Sequence, residues 1–583
     1  MKGAPRSEQF NDIYFSADDG LAETQHVFIN GNNLPQAWEN SENFVICETG
    51  FGTGLNFLAA WHLFEKTAHT DQTLDFISFE KYPLTPDEIQ KALEPWQSHF
   101  DEKIKLLCEN YPISVRGFHR IKINSQITFT LIFDDVNEAI PELDANVDSW
   151  FLDGFTPTKN PDMWSVTLFE NMARLSKEGA SFATFTAAGD VRRGLEDVGF
   201  IVEKSEGFGR KRDMIKGHYK SKEKTKTILA SKLKPSIAIV GGGLAGTSVA
   251  YALKQYGFDP VIYEQEGDIS LKASGNDIGF FNPRFTALWD GVGQFFAPAY
   301  AQFITMAKQA GDAINYKPCG ALHLINSPEK EKRFYKMLSN WNWAEDHTRI
   351  VDAKEASEIA GIELDLPALY LPDAGSVSPQ KLCHHYVADI TRKCNQTITS
   401  LEDLEEDIII LANAHSVSQF FDEDILPVNS VRGQITKIQA SQMSSKIKCN
   451  IHYGGYISQS LDSTHYVGAS FQPWLDHDDI IDDDNVQNIQ KMKTALPQLA
   501  GDDFEVLHAW AGLRTAAKDK FPIAGKISKG GKDIYVSLAY GSHGLVGSLK
   551  SAHYLCDLIR KGPCSIQFET KKSISYQRFS AKK

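Results

Sequence analysis

Short apolar runs alternate with longer amphipathic segments along the N-terminal part of the chain. Four apolar runs of strand length lead to the residues Cys47, Glu80, Asp134 and Asp153. Helical apolar spacing follows the first run from Leu55 onward. Strands that alternate with helices in this way predict a doubly wound parallel α/β sheet. Because ligands of such sheets bind outside the carboxyl ends of the strands, the acidic residues at those ends are the first site candidates.

The same alternation restarts at residue 237. The apolar run 237–240 precedes a glycine turn and an apolar-patterned helix, and the next strand is predicted to end at Glu264. The segment 219–235 between the two patterns is rich in lysine and weakly apolar, which is typical of a connection between domains. The sequence therefore predicts an N-terminal domain, a linker and a C-terminal domain over residues 1–226, 227–235 and 236–583.

Composition excludes several classes of protein. The 583 residues are 42% apolar and 23% charged. They contain no apolar run of about 18 residues and no signal-peptide core at the start. Eight scattered cysteines without a C-x-x-C pair fit free thiols in a reducing compartment, and no metal site is predicted. We therefore expect a cytoplasmic protein without a membrane segment, whose oligomeric state stays open and is compatible with a monomer.

The charge of the chain is unevenly distributed. A net charge of −15 argues against a protein that is generally coated with nucleic acid. Between residues 204 and 234, however, eleven Lys or Arg residues face only three acidic ones. A local basic stripe of this kind is typical of a phosphate-binding patch. The alternative is a solvated linker, which fits the part after Tyr219 better.

The first glycine loop has the spacing E-x-G-x-G-x-G. Its residues are Glu48, Gly50, Gly52 and Gly54. This spacing differs from the pyrophosphate-binding G-x-G-x-x-G and is closer to the loop of S-adenosylmethionine methyltransferases. Glu80, at the end of the second strand, is the candidate for binding the ribose hydroxyls. Asp135 is a further cofactor candidate, and its alternative is a helix N-cap. These residues predict a site for S-adenosylmethionine as methyl donor.

The segment "DGFTPTKNPDMW" follows the fourth strand and is stiffened by prolines and a glycine. In methyltransferases that act on amines, the loop at this place meets the target nitrogen. Asp153 is therefore the catalytic candidate, because its carboxylate can orient an amine and accept a proton. Phe155 is the candidate wall of the pocket, and simple core packing is its alternative.

The second glycine loop has the G-x-G-x-x-G spacing of dinucleotide sites, with Gly241, Gly243 and Gly246. Glu264 follows at the offset of a ribose-binding acid, which favours FAD or NAD over a 2′-phosphorylated cofactor. Two further segments favour FAD. One is the small-residue loop 273–285, and the other is a C-terminal glycine turn whose helix would direct N–H groups at the flavin. The flavin-contact candidates in these segments are Ser274, Gly275, Gly541, His543, Gly544 and Leu545.

Four stretches resemble one bacterial enzyme family. They are "FNDIYFSADDGLAETQHVFINGNNL", "ETGFGTGLNFLAAW", "LDGFTPTKNPDMW" and "TFTAAGDVRRGLEDVGFIVEKSEGFGRKRDMIKG". Together they resemble the methyltransferase half of the bifunctional tRNA-modifying MnmC family. From residue 236 the chain is similar to the FAD-dependent half of that family and to D-amino-acid and glycine oxidases. The resemblance implies a Rossmann-like S-adenosylmethionine methyltransferase domain followed by an FAD-binding domain of the D-amino-acid oxidase type.

The resemblance also implies two consecutive reactions on a modified tRNA wobble uridine. The C-terminal half would oxidise 5-carboxymethylaminomethyl-2-thiouridine to the aminomethyl nucleoside, and the N-terminal half would methylate the amine to 5-methylaminomethyl-2-thiouridine. Arg514 occupies the place where amine oxidases of this fold carry an arginine for the substrate carboxylate. A surface ion pair is its alternative, and Arg432 is a weaker candidate for the same role.

The resemblance gives the basic stripe and two tyrosines a role. Arg210, Lys211 and Arg212 become candidates for contacts with tRNA phosphates. Tyr453 and Tyr456 become candidates for the substrate face of the oxidase, with packing as their alternative. Two other functions stay open. One is a fusion of a small-molecule amine oxidase with a small-molecule methyltransferase, and the other is a tRNA-binding protein with a non-catalytic cofactor domain.

Overall fold

The chain is organised into two compact units in the computed structural model. The structure describes residues 6–7, 12–13, 19–209, 211–220, 234–529 and 531–582. The units are Met1–Leu233 with Asp557–Phe568, and Lys234–Cys556 with Glu569–Lys583. Most of the predicted linker, residues 227–233, lies outside the described residues, so its bounds stay a prediction. Nothing in the sequence pattern indicates that residues 557–568 belong with the first unit.

The first unit is built on an eight-stranded sheet and a short separate strand pair. Its strands are β1 (Arg6–Ser7), β2 (Asp12–Ile13), β3 (Asn43–Glu48), β4 (Thr73–Glu80), β5 (Gly117–Lys122), β6 (Ile127–Phe133), β7 (Val147–Phe151), β8 (Ser176–Thr184), β9 (Phe200–Glu206) and β10 (Asp213–Tyr219). Its helices are α1 (Gly20–Thr24), α2 (Leu55–Thr67), α3 (Pro86–Leu93), α4 (Gln97–Asn110), α5 (Val136–Ala139), α6 (Val166–Leu175) and α7 (Gly189–Asp197).

The strand order of the large sheet is β5-β6-β4-β3-β7-β8-β10-β9. The five strands from β6 to β8 in this order run parallel, whereas β5 at one edge and β10 and β9 at the other are joined by antiparallel pairs. Alternate residues of β3 enter opposite cores, so that Phe44 and Ile46 pack on the side of α2 and Val45 and Cys47 on the side of α6. The predicted doubly wound parallel sheet is confirmed, whereas the antiparallel edges had no signal in the pattern.

The parallel strands bring the predicted acidic residues to one edge of the sheet. Glu48 and Glu80 are the last residues of β3 and β4. Asp135 follows β6, and Asp153 follows β7. Because the carboxyl ends of neighbouring parallel strands lie side by side, these four residues lie along one edge of the sheet.

From residue 237 onward, the described residues form three sheets. Their strands are β11 (Ile237–Val240), β12 (Val261–Tyr263), β13 (Gly279–Phe281), β14 (Ala321–Leu324), β15 (Arg349–Val351), β16 (Ala368–Leu371), β17 (Gly375–Val377), β18 (Thr391–Lys393), β19 (Ile408–Leu411), β20 (Val428–Gln439), β21 (Asn450–His452), β22 (Tyr456–Ile457), β23 (Thr464–Gly468), β24 (Val506–Ala517), β25 (Ile523–Lys529) and β26 (Lys532–Leu538). The helices of this part of the chain are α8 (Leu244–Gln255), α9 (Gly291–Ala310), α10 (Pro328–Trp341), α11 (Ala353–Ala360), α12 (Pro379–Tyr386), α13 (Asp482–Ala495), α14 (Gly544–Arg560) and α15 (Phe568–Ile574). Across the described ranges, no helix combines the length and apolar character needed to cross a membrane.

Two of these sheets form the framework of the second unit. The order β18-β12-β11-β19-β26-β25 is parallel except for β25, and its strand β11 leads into the second glycine loop. The order β15-β16-β14-β21-β22-β23-β20-β24 is antiparallel except for the β14–β21 pair. The third sheet is the pair β13–β17. The sequence pattern identified strands of the parallel sheet but not the large antiparallel one.

Candidate active sites

The first glycine loop joins β3 to the N-terminus of α2. Gly52 and Gly54 have φ angles of 54° and 82°, which favour glycine. A Cβ atom on Gly50 would lie 3.0 Å from the backbone oxygen of Asp153, so the loop closely approaches the end of β7. A loop of this kind presents backbone at a helix N-terminus, which fits the close approach of a cofactor such as S-adenosylmethionine.

Glu80 braces this loop from the end of β4. Its Oε2 accepts a hydrogen bond from the Gly52 N–H at 2.9 Å, and its Oε1 accepts one from the Tyr82 N–H at 2.8 Å. Burial raises the pKa of this carboxyl, and the two backbone donors oppose the shift. The position beside the loop agrees with the predicted ribose contact, which stays a prediction.

Glu48 lies fully buried beneath the loop rather than facing outward. It accepts hydrogen bonds from Asn56 Nδ2 at 2.8 Å and from Ser78 Oγ at 2.6 Å. Burial, and then the charge of Asp153, raise the pKa of Glu48 well above its usual range. These contacts tie α2 to β3 and β4, so the geometry gives Glu48 a bracing position beneath the loop.

Asp153 is held by the same asparagine. Asn56 Nδ2 donates to Asp153 Oδ2 at 2.7 Å, and the Gly154 N–H donates to Oδ1 at 2.8 Å. Thr24 Oγ1 donates to the Asn56 amide oxygen at 2.7 Å, which fixes the orientation of that amide. Burial raises the pKa of Asp153 to about 7, and the charge of Glu23 adds to this shift. Near neutral pH this carboxylate is therefore a stronger base than an ordinary aspartate.

Lys211 lies at this site as well. It belongs to the turn between β9 and β10, and its Nζ is 3.0 Å from Glu23 Oε1 and 4.1 Å from the centre of the Phe185 ring. Its charge also lowers the pKa of Asp153. Arg212 is exposed, and Arg210 lies outside the described residues. The contacts of these three residues with tRNA stay predictions.

The other two predicted residues of the first site have local partners. Asp135 caps α5 by accepting a hydrogen bond from the Asn137 N–H at 2.9 Å, and it pairs with Lys81 Nζ at 2.8 Å. Burial would raise the pKa of Asp135, but the bonds from Lys81 and Asn137 lower it below its usual value. The N-cap alternative is thus realised, and it leaves the predicted cofactor role untested. Phe155 is partly buried, and its backbone oxygen accepts a hydrogen bond from the Trp164 ring at 3.3 Å.

The second glycine loop is formed by backbone packed against backbone. A Cβ atom on Gly246 would lie 1.9 Å from the oxygen of Gly241, and one on Gly275 would lie 2.7 Å from the oxygen of Ser270. These two glycines therefore permit close packing next to the loop. Gly241 itself has a φ of 110°, which favours glycine.

Polar side chains brace this loop too. Ser274 Oγ accepts a hydrogen bond from the Leu244 N–H, the first residue of α8, at 2.9 Å. Glu264 accepts one from the Gly242 N–H at 2.6 Å. The N-terminus of α8 and the carboxylate at the end of β12 therefore lie together, which fits the phosphate and ribose groups of a dinucleotide.

A cavity of about 1410 Å³ opens at this loop. The predicted residues that line it are Gly241, Gly243, Glu264, Ser274, Gly541, His543, Gly544 and Leu545. The two ends of the second unit thus meet at one cavity, and its volume exceeds the roughly 300–1,000 Å³ typical of ligand pockets. Burial, and then the charge of Arg284, lower the pKa of His543 to about 4, so this imidazole is neutral at pH 7.

Arg514 reaches the same cavity from β24. Its guanidinium lies across Gly433 of the neighbouring strand β20, where a Cβ atom would come within 2.8 Å of Arg514 Cζ. Tyr456 lines the cavity nearby; burial raises its pKa to about 12, and the charge of Arg514 opposes this shift. A cation beside glycine backbone and a phenol fits a carboxylate ligand.

The structure separates the other two candidates from this arginine. Arg432 is fully buried and pairs with Asp484 at 2.5 Å. Tyr453 is buried in an apolar core, donates its hydroxyl to the Tyr456 backbone oxygen at 3.0 Å, and lines a separate cavity of about 560 Å³. The described residues contain no cluster of His, Cys, Asp and Glu that could hold a metal ion.

Comparison with known proteins identifies the two domains. Residues 98–220 match the family model of S-adenosyl-L-methionine-dependent methyltransferases, and residues 236–558 match that of FAD dependent oxidoreductases. The tRNA 5-methylaminomethyl-2-thiouridine biosynthesis bifunctional protein MnmC of Methylobacillus flagellatus is 32% identical, over 100% of this chain and 95% of its own length. The protein of that name from Chromobacterium violaceum is 34% identical, over 99% and 96%. The chain belongs to the MnmC family.

Membership in the MnmC family confirms several predictions. The chain is an enzyme with a methyltransferase domain followed by an FAD-dependent oxidoreductase domain, and its cofactors are S-adenosylmethionine and FAD. The solved structure of L-proline dehydrogenase from P. horikoshii is similar in fold, with a TM-score of 0.50 and 16% identity over 60% of this chain and 98% of that one. The residue roles inside the two sites remain predictions.

Some site residues of this MnmC-family chain escaped sequence reasoning. Asn56 lies two residues past the last loop glycine. Its place in the first turn of the predicted helix could have indicated a polar side chain directed at the loop. Glu23 and Phe185 come from segments remote from the loop in sequence, and no pattern connects them to Asp153. His323 and His452, which line the large cavity, are paired only by the register of β14 and β21.

Proposed function

We propose that this chain carries out two consecutive modifications of a tRNA wobble uridine. It first converts 5-carboxymethylaminomethyl-2-thiouridine to the aminomethyl nucleoside and then methylates the amine to 5-methylaminomethyl-2-thiouridine. The observation that carries this proposal is that one chain combines a site with a basic aspartate beside a methyl-donor loop and a site with an arginine beside a flavin-type loop. The two reactions need those opposite charges, because one acts on an amine and the other on a carboxylate-bearing arm.

The oxidative step belongs to the second unit. Bound FAD supplies the two-electron acceptor. Arg514 holds the substrate carboxylate and thereby directs the neighbouring α-carbon, which loses a hydride while the amine loses a proton. Water adds to the resulting imine, and the carbon–nitrogen bond breaks to release glyoxylate and a primary amine. The neutral His543 and the start of α14 add ring and backbone contacts to the flavin, and they bring no positive charge that would compete with Arg514 for the substrate carboxylate.

The methylation step belongs to the first unit. The amine must present a neutral lone pair to the sulfonium methyl of S-adenosylmethionine, and one proton must leave the nitrogen. Asp153 accepts that proton, and its raised pKa makes it suited to this task at neutral pH. Asn56 and the Gly154 N–H hold the carboxylate in place.

The relatives' name supports tRNA as the partner of this chain. The proposal adds that the modified wobble uridine of that tRNA is the substrate. We assign the methyltransferase to residues 1–226 and the oxidase to residues 236–583. We also propose a cytoplasmic protein, since the eight cysteines are scattered along the sequence without a C-x-x-C pair, as expected in a reducing compartment.

The test is a two-stage reaction with the full-length protein. Transfer RNA that carries 5-carboxymethylaminomethyl-2-thiouridine is incubated without S-adenosylmethionine, and the nucleosides are analysed by mass spectrometry before and after the methyl donor is added. We expect the aminomethyl nucleoside first and the methylaminomethyl nucleoside second. Oxidation of free amines with unchanged tRNA would favour the small-molecule fusion. Binding of both cofactors and tRNA without turnover would favour the non-catalytic tRNA-binding protein.

A further inference from the structure

A file of aromatic rings lines the large cavity of the second unit. His323 of β14 and His452 of β21 are direct register partners, and their rings stack at 4.3 Å with 7° between the planes. Phe285 meets the His323 ring edge-on at 5.0 Å. Phe280 lies 6.1 Å from His452 and 4.6 Å from Tyr456, measured between ring centres. All five rings line the same cavity, and each has its centre within 6.1 Å of a neighbouring ring of the file.

The file has a cation at each end. At one end the cation is Arg514, next to the ring of Tyr456. Burial raises the pKa of the Tyr456 hydroxyl, and the charge of Arg514 opposes that rise. The other end is a face of α10, where Phe334 lies 5.6 Å from the last ring of the file. Lys330 Nζ and Arg333 Cζ lie 5.6 and 5.4 Å from the centre of the Phe334 ring, and both residues line the cavity. Their spacing along α10 places all three side chains on one helix face.

The middle of the file is uncharged. Burial lowers the pKa of His452 to about 4 and that of His323 well below its usual value, so both rings are neutral at pH 7. His323 is only 8% exposed, and its Nε2 has no hydrogen-bond partner among the described residues. Burial and Arg333 lower the pKa of Lys330 to about 8, which leaves it mostly charged at neutral pH.

This layout fits a ligand with an anion at either end and a flat ring between them. A small amino acid would need only Arg514, and the rings and the cations of α10 would be unused. A nucleotide with a carboxymethylaminomethyl arm has a carboxylate at one end, a base in the middle and phosphates at the other. Single-stranded bases stack on aromatic side chains, and phosphates pair with Lys and Arg.

We propose that the rings of His323, His452 and Phe285 form one wall of a slot for the wobble base in this cavity, and that Lys330 and Arg333 contact the adjacent tRNA phosphate. The inference rests on the proposed function and adds its recognition residues. The base leaves the anticodon loop and enters the slot, so that its arm extends along Phe280 and Tyr456 to Arg514. The slot thereby selects a nucleotide over a free amino acid.

The first experiment separates the slot from the α10 cations with two ligands. Flavin reduction is followed by anaerobic rapid mixing with the modified tRNA and with the free nucleoside, which has the base and arm but no phosphate. His452→Leu should weaken apparent binding of both ligands about tenfold, as for loss of one stacked base. His452→Phe should restore most of this loss, because it keeps a stacking ring. The limiting rate at saturation should change little in either variant.

The second experiment concerns the cations. Lys330→Gln with Arg333→Gln should weaken tRNA binding and leave the free nucleoside unaffected. In tRNA-binding titrations, the slope of log affinity against log salt should fall by about one to two units. The matched control is Lys332→Gln with Lys336→Gln, exposed lysines of the same helix that do not belong to the file. This control should leave both ligands and the salt slope unchanged. Flavin content and absorption spectrum report that each variant is folded.

Three outcomes would overturn the inference. They are unchanged tRNA binding in His452→Leu, an equal loss for His452→Phe and His452→Leu, and equal salt slopes for the α10 pair and its control. A wild-type protein that does not oxidise the modified tRNA would instead contradict the proposed function. The two failures are therefore distinguishable.

Discussion

The two glycine loops are braced in the same way but face opposite charges. In each, a carboxylate at the end of the next strand accepts a loop N–H, from Gly52 to Glu80 at 2.9 Å and from Gly242 to Glu264 at 2.6 Å. Beyond this shared feature, the first site offers the carboxylate of Asp153 and the second offers the guanidinium of Arg514. From this difference we predict that the loop binds the nucleotide cofactor, while the charged side chain beyond the loop selects the substrate group.

The largest expected effect is the loss of methylation in Asp153→Asn. This substitution keeps the shape of the side chain but removes the base, so methylation of tRNA that already carries the aminomethyl group should fall about 10²- to 10⁴-fold. Calorimetry should show S-adenosylmethionine binding within a few-fold of wild type, and flavin reduction should be unaffected. An equal loss of cofactor affinity would show that Asp153 serves the methyl donor rather than the amine.

Arg514→Ala tests the opposite charge. Flavin reduction by the carboxymethylaminomethyl tRNA should fall about 100-fold or more, since a carboxylate would be left without its partner. Arg514→Lys should recover only part, because a point charge does not replace a planar two-bond clamp. FAD content and methylation should stay normal, and cells should accumulate the carboxymethylaminomethyl nucleoside. Accumulation of the aminomethyl nucleoside in these cells would reverse the assignment of the two sites.

The pH profile of methylation gives a smaller and more specific effect. With Asp153 as the proposed proton acceptor, its base form is the active one, so below a pKa of about 7 the rate should fall about tenfold per pH unit, and above it the rate should level off. Glu23 raises this pKa and Asn56 lowers it. Glu23→Gln should therefore move the acidic limb to lower pH, and Asn56→Ala should move it to higher pH. Shifts in the same direction for both variants would assign the limb to another group.

The smallest expected effect concerns the basic turn. Replacing Arg210, Lys211 and Arg212 together should weaken tRNA binding, and the salt slope should fall by about 0.7 to one unit for each phosphate that is no longer paired with a cation. Because Lys211 pairs with Glu23 in this structure, Lys211→Gln alone should change the slope less than Arg212→Gln alone. A triple variant with unchanged affinity and slope would return the turn to the solvated-surface alternative.

Sequence reasoning worked best where a site residue ends a strand. Glu80, Asp153 and Glu264 were predicted as site residues because an apolar run shows where its strand ends, and parallel strands share that edge. The structure places all three at or just after strand ends, and their roles stay predictions. Asp135 was predicted by the same rule, yet its position is equally that of a helix N-cap. A single sequence does not distinguish the cofactor contact from the cap.

Contacts between remote segments could not be predicted in this way. The stack of His323 on His452 depends on the pairing of β14 with β21, which are short strands far apart in the chain. The placement of Lys211 against Glu23 and Phe185 depends on how a turn packs on two other segments. Charge and composition indicate that the turn is basic, but they do not show what its side chains meet.

Gly433, which lies beneath Arg514, limits which substitutions such an enzyme can accept during evolution. A methyl group at position 433 would meet the end of a flexible side chain rather than rigid backbone, at 2.8 Å from Arg514 Cζ. The chain with Gly433→Ala can therefore relax by displacing the guanidinium, with little effect on folding. Such a variant would accumulate normally in cells and bind its flavin, yet fail on its substrate. Selection that acts only on the amount of folded protein would not remove this substitution. Selection for the modified nucleoside would remove it and keep glycine at this position.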